Sequence, residues 1–188
     1  MHNAKILKPG LAVLALALAG APQIASAEAF NGPYAGVEAG LGKIKAEGSI
    51  LTGPIKITDD SASVGVVAGY RMPVAEGLPV VLGVEGNLGL YTEGGDARYG
   101  LAGIGGMKIG DSALLYGKVG YAWHDGVENG AGSGLDGVLL GGGAEVALSE
   151  RISARAEYRQ IDYNEIDFPD NSLDYTGHEF MAGVLFNF

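Results

Sequence analysis

Near the end of the chain, Phe180, Ala182, Val184, Phe186 and Phe188 fall on one side of an extended strand, with Glu179, Gly183 and Asn187 on the other. The same period of two recurs upstream. Alternation over about ten residues, bounded by turn chemistry, predicts eight strands. They lie near residues 34–43, 62–72, 80–91, 97–109, 113–124, 137–148, 152–162 and 177–188. Two of them echo each other: "GVEAGLG" (36–42) and "GVEGNLG" (83–89) agree at five of seven positions.

Alternation alone also fits a soluble sandwich. The placement of charge separates the two readings. Glu38, Arg71, Glu85, Lys118, Glu145, Arg155, Glu157, Arg159 and Glu179 all sit on the face opposite the apolar one, together with most of the strand glycines. Small residues and opposed charges sharing one face of nearly every strand suit the inside of a narrow closed barrel whose outside meets lipid. Closure leaves no unpaired edge in the membrane. The expectation is an all-β fold, an eight-stranded antiparallel transmembrane β-barrel, with five acids facing four bases in a lumen charge network. Arg98 and Lys108 are candidate additions. Such a network would nearly fill the lumen, since unpaired buried charge is costly.

The first 27 residues carry Lys5 and Lys8, an apolar run from Leu11 to Ala19, and Ala25-Ser-Ala27. That order is a signal peptide with cleavage after Ala27, leaving a barrel domain over 28–188. The apolar run is too short to span a bilayer as a helix, and no later segment reaches that length without a charge or glycine. Removing both lysines moves the net charge from −10 to −12, which argues against nucleic acid as a partner. Cysteine is absent, so disulfides and thiolate metal sites are excluded. Glycine, at 33 of 188 residues, has no collagen period.

With the N-terminus in the periplasm, the outer connections are expected at 44–61, 92–96, 125–136 and 163–176, and the inner ones at 73–79, 110–112 and 149–151. Longer outside than inside is the outer-membrane pattern, with 92–96 the short exception. Aromatics fall where girdles belong: Tyr70, Phe186 and Phe188 at inner strand ends, and Tyr99, Tyr121, Trp123 and Phe180 toward the outer ends.

Taken together, "GPYAGVEAGLG" (32–42), "LLYGKVGYAW" (114–123), "ISARAEYRQIDY" (152–163) and the closing "FMAGVLFNF" (180–188) resemble the opacity-type, OmpA-like group of small outer-membrane barrels. The resemblance covers the whole mature chain and implies up-and-down topology in a Gram-negative outer membrane. It also implies that Val184, Phe186 and Phe188 form a C-terminal signal for the barrel-assembly machinery. Outer-membrane lipids and lipopolysaccharide would be its surroundings. The sequence stops at the eighth strand, a departure from full-length OmpA, so a peptidoglycan-binding domain is not expected.

Candidate chemistry is thin. His124 with Asp125, or His178 with Ser172, could be imagined in a lipid-modifying enzyme, but neither pair has a geometry that sequence defines. The glycine-rich stretches 36–44 and 103–110 match neither phosphate-binding pattern. Asp162, Glu165, Asp167, Asp170 and Asp174 offer hard oxygens suited to Ca²⁺ or Mg²⁺, without the spacing of a calcium loop, and read better as a solvated acidic loop. The leading expectation is a non-enzymatic barrel that needs no cofactor. It has a closed or nearly closed lumen and acts as a structural or surface-interaction protein through its outer loops, the surface partner unnamed. A narrow channel for ions or very small solutes is the alternative, and a lipid-modifying enzyme the third reading.

Overall fold

The computed structural model describes residues 30–50, 53–92, 96–125, 135–163, 166–168 and 171–188. The segment expected to be a signal peptide, with Ala25 and Ala27, and the connection 126–134 lie outside them. The strands are β1 (Gly32–Ile50), β2 (Gly53–Pro73), β3 (Val80–Tyr91), β4 (Ala97–Ile109), β5 (Ala113–Asp125), β6 (Leu135–Ala147), β7 (Ile152–Tyr163), β8 (Ile166–Phe168) and β9 (Asn171–Asn187). Each of β1 to β7 pairs antiparallel with the next, and β9 pairs with both β7 and β1. The result is a closed eight-stranded barrel. The short β8 resumes the line of β7 against β9, from Ile166↔Leu173 to Phe168↔Asn171.

Parity decides the two faces. Val37, Leu41, Val66, Val84, Leu101, Val119, Leu140 and Val184 are exposed outside, while the alternate positions are buried in the lumen. An exposed apolar belt on every strand suits hydrocarbon and would be untenable in water. Tyr70, Tyr99, Trp123, Phe180, Phe186 and Phe188 also face outward, and Tyr99 stacks on Trp123 at 5.8 Å between ring centroids.

At the end carrying Phe30 and Phe188, two of the connections are tight, those after β4 and β6. Gly110, at φ 62°, takes the left-handed conformation that the β4–β5 turn requires. Ser149 Oγ accepts the Ile152 amide at 3.1 Å in the β6–β7 turn.

The opposite end differs from the sequence reading. Residues 44–50 and 53–61, expected as a long loop, instead extend β1 and β2 as a paired hairpin out to Ile50↔Gly53. The expected loop 163–176 holds β8 and the first part of β9, which stays paired with β1 as far as Ser49↔Ser172. Pairing between β2 and β3 stops at Ser63↔Tyr91. On one side of the barrel, therefore, β8, β9, β1 and β2 rise past the rim as a four-stranded blade. Its ten β2 residues, 53–62, correspond to about 30 Å along the strand. The physical reason is simple. Above the membrane two strands need only each other's backbone groups, so lysine, aspartate and glycine there do not mark the end of a strand.

Candidate functional site

The lumen is where the sequence places charge, and the structure joins eight of those nine charges into one network, Glu179 standing apart from it. Arg71 on β2 grips Glu145 on β6 with two nitrogens, at 2.8 and 3.1 Å. Glu145 also meets Arg155 on β7 at 3.2 Å and accepts Ser153 Oγ at 2.5 Å. Arg155 reaches across to Glu85 on β3 at 2.5 Å. Glu85 in turn accepts Lys118 of β5 at 2.9 Å and Tyr34 Oη at 2.7 Å. Lys118 bridges to Glu157 at 2.6 Å, and Glu157 also accepts Tyr116 and Arg159. Arg159 closes the chain on Glu38 of β1, at 2.7 and 2.5 Å.

These eight charges, four of each sign, come from six of the eight barrel strands. The other two strands supply a second layer nearer the outer mouth, where Arg98 of β4 meets Glu179 of β9 at 3.0 Å and Tyr91 donates to Glu179 at 2.6 Å. All ten charged side chains are buried. Buried ions tolerate such surroundings only when paired and further hydrogen-bonded, and the tyrosines and Ser153 supply those extra donors. Arg71 also lies over the ring of Tyr34, 4.0 Å from its centroid, and donates to Asn187 Oδ1 at 2.8 Å.

Apolar plugs sit around the charges. Phe30, Val81, Ile104, Leu114, Tyr116 and Ala147 form one buried cluster. Ala102, Ala122, Leu139, Ile161 and Tyr163 form another toward the outer mouth. The lumen thus holds more than the small and charged residues expected of it. Tyr34, Tyr91, Tyr116, Met181 and Leu185 share the parity of the charges, and that parity was the signal that could have found them. Of the two candidate additions, Arg98 is fully buried in the lumen, whereas Lys108 is only half-buried near the inner rim.

The histidines do not form the imagined catalytic pairs. His124 sits in the outer mouth, stacked on Tyr91 with 5.2 Å between ring centroids, and its acidic neighbour is Asp96 at 3.5 Å. His178 faces outward, its Nδ1 2.7 Å from Tyr158 Oη. The side chains of Asp125 and Ser172 lie outside those described, as do those of Glu165, Asp167, Asp170 and Asp174 in the acidic stretch. Asp162 accepts Gln160 at 3.0 Å. Val184 and Phe186 lie on the outer face of β9, and Phe188, just past its end, is 73% exposed.

A closed antiparallel barrel, apolar outside and polar within, defines an integral outer-membrane β-barrel protein. The chain belongs to the family of the outer membrane protein beta-barrel domain, which it matches over residues 11–188. No curated protein matches its sequence. Among solved structures it is similar to the outer membrane protein OprG from Pseudomonas aeruginosa. Identity there is 13% and the TM-score 0.52, with 88% of this chain and 99% of that one covered. It is also similar to Neisserial surface protein A, at 17% identity, a TM-score of 0.47 and coverage of 81% and 97%. The attachment invasion locus protein Ail of Yersinia pestis gives 15%, 0.45, and 84% and 99%. At these identities the OprG likeness speaks for the fold alone.

Proposed function

We propose that the protein is a non-enzymatic outer-membrane barrel with a closed lumen, and that it acts in surface interaction or structural support through the part standing outside the membrane. The observation that carries this reading is the unbroken eight-charge network, which crosses the lumen from Arg71 to Glu38 and occupies the path a solute would need. The blade of β8, β9, β1 and β2 supports its second half, because it supplies an ordered surface beyond the membrane where binding can occur. Outer-membrane lipids and lipopolysaccharide surround the exposed apolar belt in this reading.

Replacing residues 45–58 by a two-residue turn is expected to leave the barrel folded, seen as unchanged heat-dependent gel mobility. The same change should abolish adhesion of cells displaying the protein to protein-coated surfaces. Equal adhesion by the full and shortened forms, both folded, would remove the blade from the functional account.

A further inference from the structure

Above the rim the sheet is no longer closed. Within the barrel β2 has a neighbour on each side, but it loses β3 beyond Ser63↔Tyr91. Residues 53–61 stay paired with β1. Among the described residues no strand lies along their other edge. An open edge in water presents unpaired backbone donors and acceptors and is a template for a further strand.

The last backbone hydrogen bond on that side tells which groups point outward. Thr92 donates its amide to the Ala62 carbonyl at 2.9 Å, so Ala62 turns its backbone groups toward the open side. Backbone direction alternates along an antiparallel strand, so Asp60, Thr58 and Lys56 turn theirs the same way. Pro54 ends the run, because it has no N–H to offer.

The sequence of this edge complements itself. When two copies pair antiparallel with Thr58 opposite Thr58, Lys56 of each stands opposite Asp60 of the other. Each of these facing pairs exchanges backbone hydrogen bonds. The intervening positions set Ile57 opposite Asp59 and Ile55 opposite Ser61, so no like charges meet. Other centres spoil the match. Centring on Ile57 sets Pro54, without a donor, opposite Asp60. Centring on Asp59 sets Asp59 opposite Asp59, and Lys56 opposite Ala62, whose carbonyl is already engaged. Asp60 keeps room for a second partner: it meets Lys43 at 2.6 Å, yet its side chain is 76% exposed.

Antiparallel pairing also decides where the second copy stands. From Gly53, β2 runs down the blade into its own barrel. A strand running the opposite way belongs to a barrel beyond the far end of the joined blades, and so to a facing membrane. The contact is isologous and closes on itself. Exposed ion pairs on one short edge bind weakly, but many copies between two membranes act together.

We propose that the β2 edge over residues 56–60 is a homophilic site, through which the blade pairs with the blade of a second copy on a neighbouring cell. This rests on the reading of the blade as the functional surface and names its partner.

Proteoliposomes carrying the refolded protein are expected to cluster, seen as a rise in light-scattering size that added salt reverses. Lys56→Asp sets acid against acid across the contact, and Asp60→Lys sets base against base. Vesicles of either variant alone should therefore lose clustering, with gel mobility showing both folded. Mixing the two kinds of vesicle should restore it, since each supplies the charge that the other lacks. The double variant, whose net charge equals the native, should cluster with itself and not with the native protein. Native vesicles that stay dispersed, single variants that cluster as the native does, or a mixture that stays dispersed would each overturn the homophilic site. Dispersed native vesicles beside adhesion that is lost on shortening the blade would leave the blade its surface role and deny it this partner.

Discussion

Replacing Arg155 by alanine is expected to lower the stability of the folded barrel by about 3–5 kcal/mol, the usual consequence of removing one partner from a buried ionic cluster. Arg155 touches Glu85 at 2.5 Å, Glu145 at 3.2 Å and Glu157 at 3.9 Å, and lies over the ring of Tyr116. Its loss leaves three carboxylates to share Arg71, Lys118 and Arg159, and nothing else in that layer replaces the charge. Equilibrium unfolding in urea, followed by gel mobility, measures the change. The comparison variant is Lys43→Ala, which breaks only the Lys43–Asp60 pair, 60% and 76% exposed. Solvent already screens that pair, so its removal should shift the midpoint little. Equal shifts in the two variants would mean that the lumen network contributes no more than a surface ion pair.

The second large effect is steric. Gly120 on β5 pairs with Ala102 and Leu139 of its neighbours. A Cβ placed there would lie 2.1 Å from the Leu101 carbonyl oxygen and 2.6 Å from Ala102 Cα. Backbone atoms of a closed ladder cannot step aside singly, so β4 and β5 must separate. Gly120→Val is therefore expected to cost about 3 kcal/mol or more, at or beyond the upper end of ordinary overpacking, and to sharply reduce the folded fraction on refolding. Gly103→Val is the contrasting case. Its nearest neighbour, the Val119 carbonyl oxygen, lies at 3.9 Å, and its position faces outward. Near-native refolding of Gly103→Val beside failure of Gly120→Val would locate the effect in strand spacing rather than in strand propensity. Similar refolding of both would contradict it.

The barrel itself was legible because its two solvents are so unlike. Lipid outside and a packed polar interior impose a period of two on every strand, and β3, β4 and β5 fall within a residue of where that period puts them. The blade was not legible as strand, since lysine, glutamate, glycine and proline in 43–58 look like loop chemistry when judged by what lipid tolerates. Lys43-Ile-Lys-Ala-Glu47 and Pro54-Ile-Lys-Ile-Thr58 do alternate. They needed to be read against water, not membrane.

Parity places the lumen charges on a common face, yet it does not pair them. Arg71 finds Glu145 at 74 positions' separation and Arg159 finds Glu38 at 121, partners set by how the sheet closes. The interior tyrosines were obscured for another reason. A tyrosine at a strand end reads as a girdle residue, and only the closed barrel shows Tyr34, Tyr91 and Tyr116 turned inward with their hydroxyls on carboxylates.

The most direct test of a sealed lumen is single-channel current across a planar bilayer containing the refolded protein, beside a folded Arg155→Gln/Arg159→Gln variant. The native protein is expected to give no current steps and the variant to open, because neutralising both arginines breaks the network at Glu85, Glu145, Glu157 and Glu38 together. Reproducible steps from the native protein, altered in size by the same substitutions, would make the lumen a conducting path and contradict a closed barrel that works through its outer surface.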